Sequence, residues 1–219
     1  MPIEADFILL IFNCKKYEYK ALKQKQTWLK DVTFMPYFHV LGDPSLISDY
    51  YFDHANHILL VKTLDDYVSL PKKVIAAFNA IYNEFVFKYV FKTDDDQQLS
   101  SAKFLTTIQQ IVSTKVPKIH YGGHIVDVTK PYLSQYHTIH SELPTQLPVL
   151  PTRYCSGRFY LLSDLAVQYL ITKRANIEGE FLEDYAIGYY LDGVLKTSML
   201  NIQTNQYFTD FEFSNEEEG

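Results

Sequence analysis

A run of apolar residues that ends near three adjacent aspartates constrains the fold of this chain more than any other feature. Residues 85–91 are mostly aromatic and β-branched, which is typical of a strand that is buried on both faces. The acidic triplet Asp94, Asp95 and Asp96 follows two residues later. Ser100 and Ser101 then offer the start of a helix. We therefore expect the acids in a loop at the carboxyl end of a strand, which is where open α/β sheets bind ligands.

The acidic triplet allows two interpretations. Three neighbouring negative charges repel one another, so they are costly unless they are exposed or matched by a cation. A hard divalent ion such as Mg²⁺ or Mn²⁺ takes oxygen ligands and commonly bridges carboxylates to the phosphates of a substrate. The alternative is a solvated acidic turn, since aspartate favours turns and helix N-caps. The buried strand in front of the triplet favours a binding site.

The order of elements in the first half of the chain predicts an α/β fold in one domain. Strands are predicted at residues 6–12, 37–41 and 57–61, and helices at about residues 17–30 and from Pro71 onwards. Together with the strand and helix around the acids, this order indicates a mixed, mostly parallel sheet flanked by helices.

The first predicted helix has a lysine-rich polar face. The default interpretation is a solvated surface, and the alternative is that some of these lysines neutralise a ligand that carries phosphate. The lysines in question are Lys15, Lys16, Lys20, Lys23 and Lys25.

The second half of the chain is less regular. Gly122-Gly123 permits either a bend or a close approach of the backbone to a ligand, and the proline-containing residues 129–153 predict a long binding loop. Ser163 is expected to cap a helix, and a further helix is expected to begin near Glu183 and Asp184. Acids at a helix N-terminus are favoured electrostatically, although a positioned carboxylate there is also a candidate general base.

Composition excludes several classes of protein. With a net charge of −6 and no basic stripe, the chain is not expected to bind nucleic acid. Cys14 and Cys155 are its two cysteines, and we expect both as reduced thiols. No targeting segment or membrane span is visible, so we expect a cytoplasmic protein, located in the host cytoplasm if the source is viral.

Six stretches between residues 25 and 188 together resemble one known family. They are Lys25-Gln26-Thr27-Trp28, Phe38-His39-Val40-Leu41-Gly42, Asp66-Tyr67-Val68-Ser69-Leu70-Pro71-Lys72, Lys88 to Asp96, Tyr154-Cys155-Ser156-Gly157 with Tyr160 to Ser163, and Glu183 to Gly188. In this order they resemble the β1,3-glycosyltransferases of the galactosyltransferase and fringe type, which have the GT-A fold.

The resemblance implies a GT-A-like, Rossmann-type nucleotide-binding half at about residues 1–113 and an acceptor and catalytic half at about 114–214, followed by an acidic tail at 215–219. It implies an inverting, metal-dependent enzyme that uses Mn²⁺ or Mg²⁺ and a DXD motif. The enzyme would move a hexose or N-acetylhexosamine from a UDP-sugar to a hydroxyl of a glycan acceptor.

Roles carry over from the family to matching positions of this chain. Asp96 would be the direct metal ligand, Asp94 a ribose contact or second metal ligand, and Asp95 a substitute for either. Asp184 matches the catalytic base, with Glu183 as its neighbour. The expected donor-binding residues further include Asn13 (by fold position only), Lys25, Tyr67, Lys72, Gly122, Gly123, Tyr154, Cys155, Ser156 and Gly157.

The chain also departs from the family. The family supplies a late histidine as a metal ligand, but no histidine follows His140 here. The possible stand-ins are Asn201, Gln203, Asn205, Gln206 or water. Two other functions remain open: a module that binds a nucleotide-sugar or glycan without transferring it, and a sugar nucleotidyltransferase. Against the second, residues 13–16 contain no glycine-rich loop that would cradle a triphosphate.

Overall fold

The computed structural model describes residues 2–211, so the predicted acidic tail at 215–219 lies outside the described residues. The strands are β1 Ile3–Glu4, β2 Phe7–Phe12, β3 Tyr37–Gly42, β4 Tyr50–Asp53, β5 Ile58–Val61, β6 Phe85–Val86, β7 Tyr89–Asp94, β8 Gln97–Leu99, β9 Tyr121–Val128, β10 Tyr132–Leu133, β11 Pro148–Val149, β12 Thr152–Ser163, β13 Leu200–Asn201 and β14 Phe208–Asp210. The α-helices are α1 Glu18–Gln26, α2 Leu70–Glu84, α3 Lys103–Thr114, α4 Asp164–Thr172, α5 Arg174–Ile177 and α6 Glu183–Tyr190.

Eight of these strands form one central sheet in the order β13-β9-β12-β7-β2-β3-β5-β4. The pairs β7-β2, β2-β3, β3-β5 and β13-β9 are parallel, whereas β12 runs antiparallel to both of its neighbours and β4 runs antiparallel to β5. The predicted fold class, a mixed and mostly parallel sheet flanked by helices in a single domain, is confirmed.

The continuous apolar strands are explained by two cores, one on each face of the sheet. In β2, alternate residues point to opposite faces, so Ile8 and Leu10 pack with α2 while Leu9 and Ile11 pack with α3 and Trp28. A strand covered on both sides has no solvated face and therefore carries no alternating polar residues.

Two expectations about the region of the acids were wrong in detail. The strand predicted at 85–91 is split, because Phe85–Val86 pairs with β1 while Tyr89–Asp94 enters the central sheet between β2 and β12. The acids also do not lead directly into the helix, because β8 intervenes and pairs with β14 near the end of the described chain. The helix itself begins at Lys103, whose N–H donates to the hydroxyl of Ser101, close to the predicted start. Both differences arise from pairing between distant segments.

The bend that Gly122-Gly123 would permit does not occur, because both glycines lie inside β9. A Cβ atom on Gly122 would lie 2.9 Å from the Cβ of Leu200, and one on Gly123 would lie 2.7 Å from the Cβ of Cys155. Glycine is therefore needed there for close packing of strands rather than for a bend.

A third glycine allows α6 to lie directly on β12. A Cβ atom on Gly188 would lie 2.2 Å from the Cβ and 2.6 Å from the Cα of Tyr154. This contact matters for the rest of the molecule, because the N-terminus of α6 carries Glu183 and Asp184.

We expect Gly188→Ala to lower the free energy of unfolding by about 2–3 kcal/mol, since overpacking outweighs the gain in helix propensity. Gly193→Ala is the matched control, because no atom lies within 4 Å of a Cβ added at that position. Urea unfolding followed by circular dichroism measures both variants. A Gly188→Ala protein as stable as the control would contradict the close packing of α6 on β12.

Candidate active site

The acids lie at the carboxyl end of β7, in the centre of the sheet. Asp94 is the last residue of that strand and pairs in register with Phe12, the last residue of β2. The side chain of Asp94 is 32% exposed, and its Oδ1 atom lies 2.6 Å from Nζ of Lys92. The expectation that the triplet lies at the carboxyl end of a buried strand is therefore met, with Asp94 as the last residue of β7 and with Asp95 and Asp96 beyond it.

Lys92 connects this edge to helix α6. Its side chain is 1% exposed, and its Nζ atom lies 2.6 Å from Asp94 and 3.2 Å from Oε2 of Glu183. The same Nζ atom donates a hydrogen bond of 2.8 Å to the carbonyl oxygen of Gly157. The hydroxyl of Tyr160 donates to the other carboxylate oxygen of Glu183. One buried cation thus joins two carboxylates that lie 89 positions apart in the sequence.

The charges of this network shift its titration. Burial alone would lower the pKa of Lys92, but the carboxylates of Asp94 and Glu183 outweigh burial and raise it, so the ammonium stays charged. Burial raises the pKa of Asp94 to about 6 and the pKa of Asp95 to about 7, and the neighbouring carboxylates add to both shifts. Acids with raised pKa values in a cleft are typical of functional sites.

Buried side-chain donors fix the backbone of the acidic loop by hydrogen bonds to its carbonyl oxygens. Gln24 on α1 donates hydrogen bonds of 3.1 Å and 3.0 Å to the carbonyl oxygens of Asp94 and Gln97. Trp28 Nε1 donates to the same Gln97 carbonyl at 3.1 Å. The side chain of Gln97 donates to Oδ1 of Asp96 at 2.7 Å. The backbone of the loop is therefore tied on both sides of the acidic triplet.

Asp184 lies across a narrow gap from Asp94. Its Oδ2 atom accepts a hydrogen bond of 3.0 Å from the backbone N–H of Gly157, and its Oδ1 atom accepts one of 2.7 Å from the N–H of Tyr185. A Cβ atom on Gly157 would lie 3.6 Å from Oδ2 of Asp184 and 3.6 Å from Oδ2 of Asp94. A side chain at position 157 would therefore contact both acids. Burial raises the pKa of Asp184.

Tyrosines surround the outer side of Asp184. Burial first, and then the charge of Asp184, raises the pKa values of Tyr67, Tyr136 and Tyr154. The ring of Tyr67 stacks on His140, with centroids 3.7 Å apart and planes inclined by 9°. His140 belongs to the segment 129–153, so this predicted binding loop does reach the region of the acids.

A cleft of about 580 Å³ lies on the other side of the acids, at the carboxyl ends of β2, β3 and β5. It is lined by Asn13, Lys15, Glu18, Ala21, Leu22, Lys25, His39, Leu41, Gly42, Asp43, Pro44, Ser45, Ile58, Leu60 and Asp65. Asn13 links this cleft to the acidic loop, because its Nδ2 atom lies 3.5 Å from Oδ2 of Asp95. Clefts of this size with a few convergent polar groups are typical ligand sites.

The structure brings most of the expected donor-binding residues to these two places, but not all. Asn13 and Lys25 line the cleft, and Gly157 lies beside both acids. Tyr67 and Tyr154 lie beside Asp184. Ser156 lies partly exposed in β12 next to Gly157.

Four expected residues lie elsewhere. Gly122 and Gly123 are buried within the sheet, and Cys155 is fully buried, with burial raising its pKa to about 12. Lys72 is exposed on α2, whereas its neighbour Lys73 is buried and donates to the carbonyl oxygen of Asn13 at 2.9 Å.

The side chains near the acidic loop fit a divalent metal ion only in part. Among residues 2–211, no group of three or more His, Cys, Asp or Glu side chains is placed to hold a metal ion. Of the expected stand-ins for histidine, Asn201 accepts a hydrogen bond from the backbone of Ile125, and Asn205 accepts one from Arg158. Asp94 and Asp96 still fit a magnesium or manganese ion, because such ions need one or two carboxylates beside phosphate oxygens and water.

Sequence reasoning missed several polar residues at the site. Lys92, Gln24, His39 and Lys73 are all buried. A usable signal existed for Lys92 and His39, since each lies in the middle of an apolar strand, where a buried polar group needs a partner. No comparable local signal marks Gln24, because its partners are carbonyl oxygens of a distant loop.

The fold and the site define a class of protein: an α/β domain with a ligand cleft and an acidic loop at the carboxyl edge of a mostly parallel sheet. A family model described as Galactosyltransferase matches residues 24–199. The chain therefore belongs to the galactosyltransferase family and is a glycosyltransferase, as the six stretches indicated. No curated protein matches it.

Some solved structures are similar to this chain. A putative glucose-1-phosphate thymidylyltransferase from Bacillus anthracis has 9% identity and a TM-score of 0.45, with 89% of this chain and 85% of that chain covered. HddC from Yersinia pseudotuberculosis has 14% identity and a TM-score of 0.38, with 94% and 93% covered. The inositol-1-phosphate CTP transferase from T. maritima has 8% identity and a TM-score of 0.43, with 85% and 79% covered. TM-scores this low do not bear on the assignment.

None of the helices in residues 2–211 has the length and apolar character needed to cross a membrane.

We expect Lys92→Met to lower the free energy of unfolding by about 3–5 kcal/mol, because it leaves the buried carboxylates of Asp94 and Glu183 without their cation. Lys88→Met is the control, since that lysine pairs with Asp6 while both side chains are 62% exposed, and such pairs contribute less than about 1 kcal/mol. Urea unfolding measures both. Equal losses for the two variants would contradict the role of Lys92.

The raised pKa of Asp95 predicts how the effect of replacing this residue on stability depends on pH. The Asp95 carboxyl is harder to ionise in the folded protein than in the unfolded chain, so its ionisation destabilises the fold. This destabilisation is absent near pH 4 and complete above about pH 7. We expect Asp95→Asn to raise the free energy of unfolding by about 1–3 kcal/mol at pH 8 and to have little effect at pH 4. Urea unfolding in EDTA at both pH values measures this, with the exposed Asp127→Asn as control. A gain that is the same at both pH values would contradict the prediction.

Proposed function

We propose that this glycosyltransferase is an inverting, metal-dependent enzyme that moves a hexose or N-acetylhexosamine from a UDP-sugar to a hydroxyl of a glycan acceptor. The observation that carries the proposal is the pair of acids, Asp94 and Asp184, that both lie 3.6 Å from the position of a Cβ atom added to Gly157. Asp94 belongs to the strand end beside the nucleotide-sized cleft, and Asp184 belongs to the side lined by tyrosines. Glycine at position 157 leaves space between them, because any side chain would enter that gap.

Asp96 and Asp94 would hold the metal ion. When bound, such an ion neutralises the negative charge that grows on a departing nucleoside diphosphate. The chain's own residues prepare this loop: Gln24 fixes its backbone, Gln97 donates to Oδ1 of Asp96, and Lys92 occupies one oxygen of Asp94. The other oxygen of Asp94 faces Gly157.

Asp184 is the general base in this proposal, and Glu183 is not. Both oxygens of Glu183 are buried and engaged by Lys92 and Tyr160. Asp184 is less buried, and two backbone N–H groups orient its carboxylate. It would take the proton from the acceptor hydroxyl while that oxygen attacks the anomeric carbon from the face opposite the diphosphate. This single displacement inverts the configuration at that carbon.

The acceptor would bind against the tyrosines around Asp184. Sugar rings pack their C–H faces on aromatic rings, and Tyr67, Tyr136 and Tyr154 lie close enough to Asp184 for its charge to raise their pKa values. Tyr132 and Tyr136 are about half exposed, so this side of the site is open to a large acceptor.

We expect Asp184→Asn to lower transfer from a UDP-sugar by about 10²–10⁴-fold, since it removes the general base, while binding of UDP with Mn²⁺ stays near normal. Asp127→Asn, which removes an exposed carboxylate of β9, should leave transfer unchanged. Product formation and calorimetric binding of UDP measure the two effects. Near-normal transfer by the Asp184→Asn enzyme would exclude Asp184 as the base.

The same calorimetry tests the metal site. Binding of UDP should require Mn²⁺, be abolished by EDTA and be weakened in Asp96→Ala. Binding without any turnover of a panel of UDP-sugars would favour a non-catalytic binding module instead, and turnover of a sugar 1-phosphate with a nucleoside triphosphate would favour a nucleotidyltransferase.

A further inference from the structure

One residue that lines the cleft beside the acidic loop carries a buried polar atom that the described part of the chain leaves without a partner. His39 lines this cleft, lies in the middle of β3 and is 2% exposed. Its Nδ1 atom lies 2.6 Å from Oδ1 of Asn13. Its other ring nitrogen, Nε2, is buried and has no hydrogen-bond partner within residues 2–211.

The hydrogen-bond network assigns the proton on this ring. Asn13 donates from Nδ2 to Oδ2 of Asp95 at 3.5 Å, which directs its Oδ1 atom to His39 as an acceptor. Nδ1 of His39 must then carry the proton. Burial lowers the pKa of His39 to about 3, with Lys25 and His57 adding to the shift, so the ring is neutral. In this tautomer, Nε2 is an acceptor.

A buried acceptor without a donor is costly to the folded protein, and native structures contain few of them. The strand does not need histidine for packing, because Phe38 and Val40 beside it are apolar and equally buried. An unpaired acceptor on a residue that lines a ligand cleft is instead accounted for if a ligand supplies the donor.

The rest of the cleft indicates which donor would fit. Leu41, Ile58 and Leu60 offer apolar contact to the faces of a flat ring. Lys25 lies close enough to His39 to affect its titration. Its ammonium donates to the carbonyl oxygen of Asn56 at 2.9 Å and has three donors in total. An acceptor beside a donor complements a ring N–H next to a carbonyl oxygen.

We propose that Nε2 of His39 accepts a hydrogen bond from the ring N3–H of uracil, and that His39 thereby makes the enzyme select uridine over cytidine nucleotides. In uracil, N3–H is a donor flanked by two carbonyl oxygens. In cytosine, N3 is an acceptor and would face the lone pair of Nε2. This inference rests on the proposed use of a UDP-sugar and names the residue that selects its base.

The first test changes the ligand and leaves the protein intact. Calorimetry with Mn²⁺ compares UDP, CDP and UDP methylated at N3 of the base. We expect CDP and the methylated UDP to bind roughly tenfold more weakly than UDP, because both leave Nε2 without a donor. Inorganic pyrophosphate, which has no base, gives the baseline for the diphosphate alone.

The second test changes His39 with a matched pair of amides. His39→Gln places an amide group near the position of Nε2, whereas His39→Asn places one near the position of Nδ1, next to Asn13. We expect His39→Gln to keep part of the preference for UDP over the methylated UDP and His39→Asn to lose it. Pyrophosphate binding and thermal melting show whether each variant keeps its fold and its diphosphate site.

The outcomes distinguish a failure of the role of His39 from a failure of the proposed function. Absence of binding of every nucleotide by the unmodified protein with Mn²⁺ would overturn both the inference and the proposed function. Equal binding of UDP and its methylated form by the unmodified protein, or an unchanged preference for UDP in both variants, would overturn the role of His39 and leave the proposed function intact.

A spectroscopic measurement covers the case in which neither variant folds. Long-range ¹H–¹⁵N correlation spectra report the unprotonated ring nitrogens of the seven histidines. We expect the Nε2 resonance of His39 to move on addition of UDP and to stay in place on addition of pyrophosphate. A resonance that is insensitive to UDP would overturn the inference.

Discussion

The buried ammonium of Lys92 is the interaction on which the rest of the site depends. A lysine this deeply buried is tolerated only when its charge is matched and hydrogen bonded. Here the matching charges come from Asp94 on its own strand and from Glu183 on α6. The same requirement therefore sets the position of the α6 N-terminus relative to the acidic loop.

Several other features follow from that constraint. Asp184 immediately follows Glu183 and so lies at a fixed place beside Gly157. Gly188 lets α6 approach β12 closely, and Tyr160 on β12 satisfies the remaining oxygen of Glu183. Five carboxylates, those of Asp94, Asp95, Asp96, Glu183 and Asp184, can gather at one edge of the sheet because one buried cation, backbone N–H groups and buried amides share the cost of bringing them together. The raised pKa values of Asp94 and Asp95 show that part of this cost remains, and a cationic ligand or a proton would relieve it.

Much of the fold was predictable from local patterns. Residues 7–12 and 37–42 form strands near the predicted bounds, α2 begins at Leu70 with Pro71 in its first turn, and Ser163 caps α4 by accepting a hydrogen bond from Ala166. The elements that were missed or misread all depend on distant partners. Strand β8 exists because it pairs with β14, and the glycines of β9 permit close packing between strands.

Local patterns were enough to predict the class of fold, the family and the position of the acids at a strand end, because apolar periodicity and short motifs act over a few residues. Which polar groups meet at that strand end depends on the folded structure. It placed Glu183 against Lys92, left Lys72 in solvent while Lys73 reached Asn13, and put His39 beside a cleft. Such pairings join residues tens of positions apart, and their free energy comes from burial and charge at positions that local patterns do not encode.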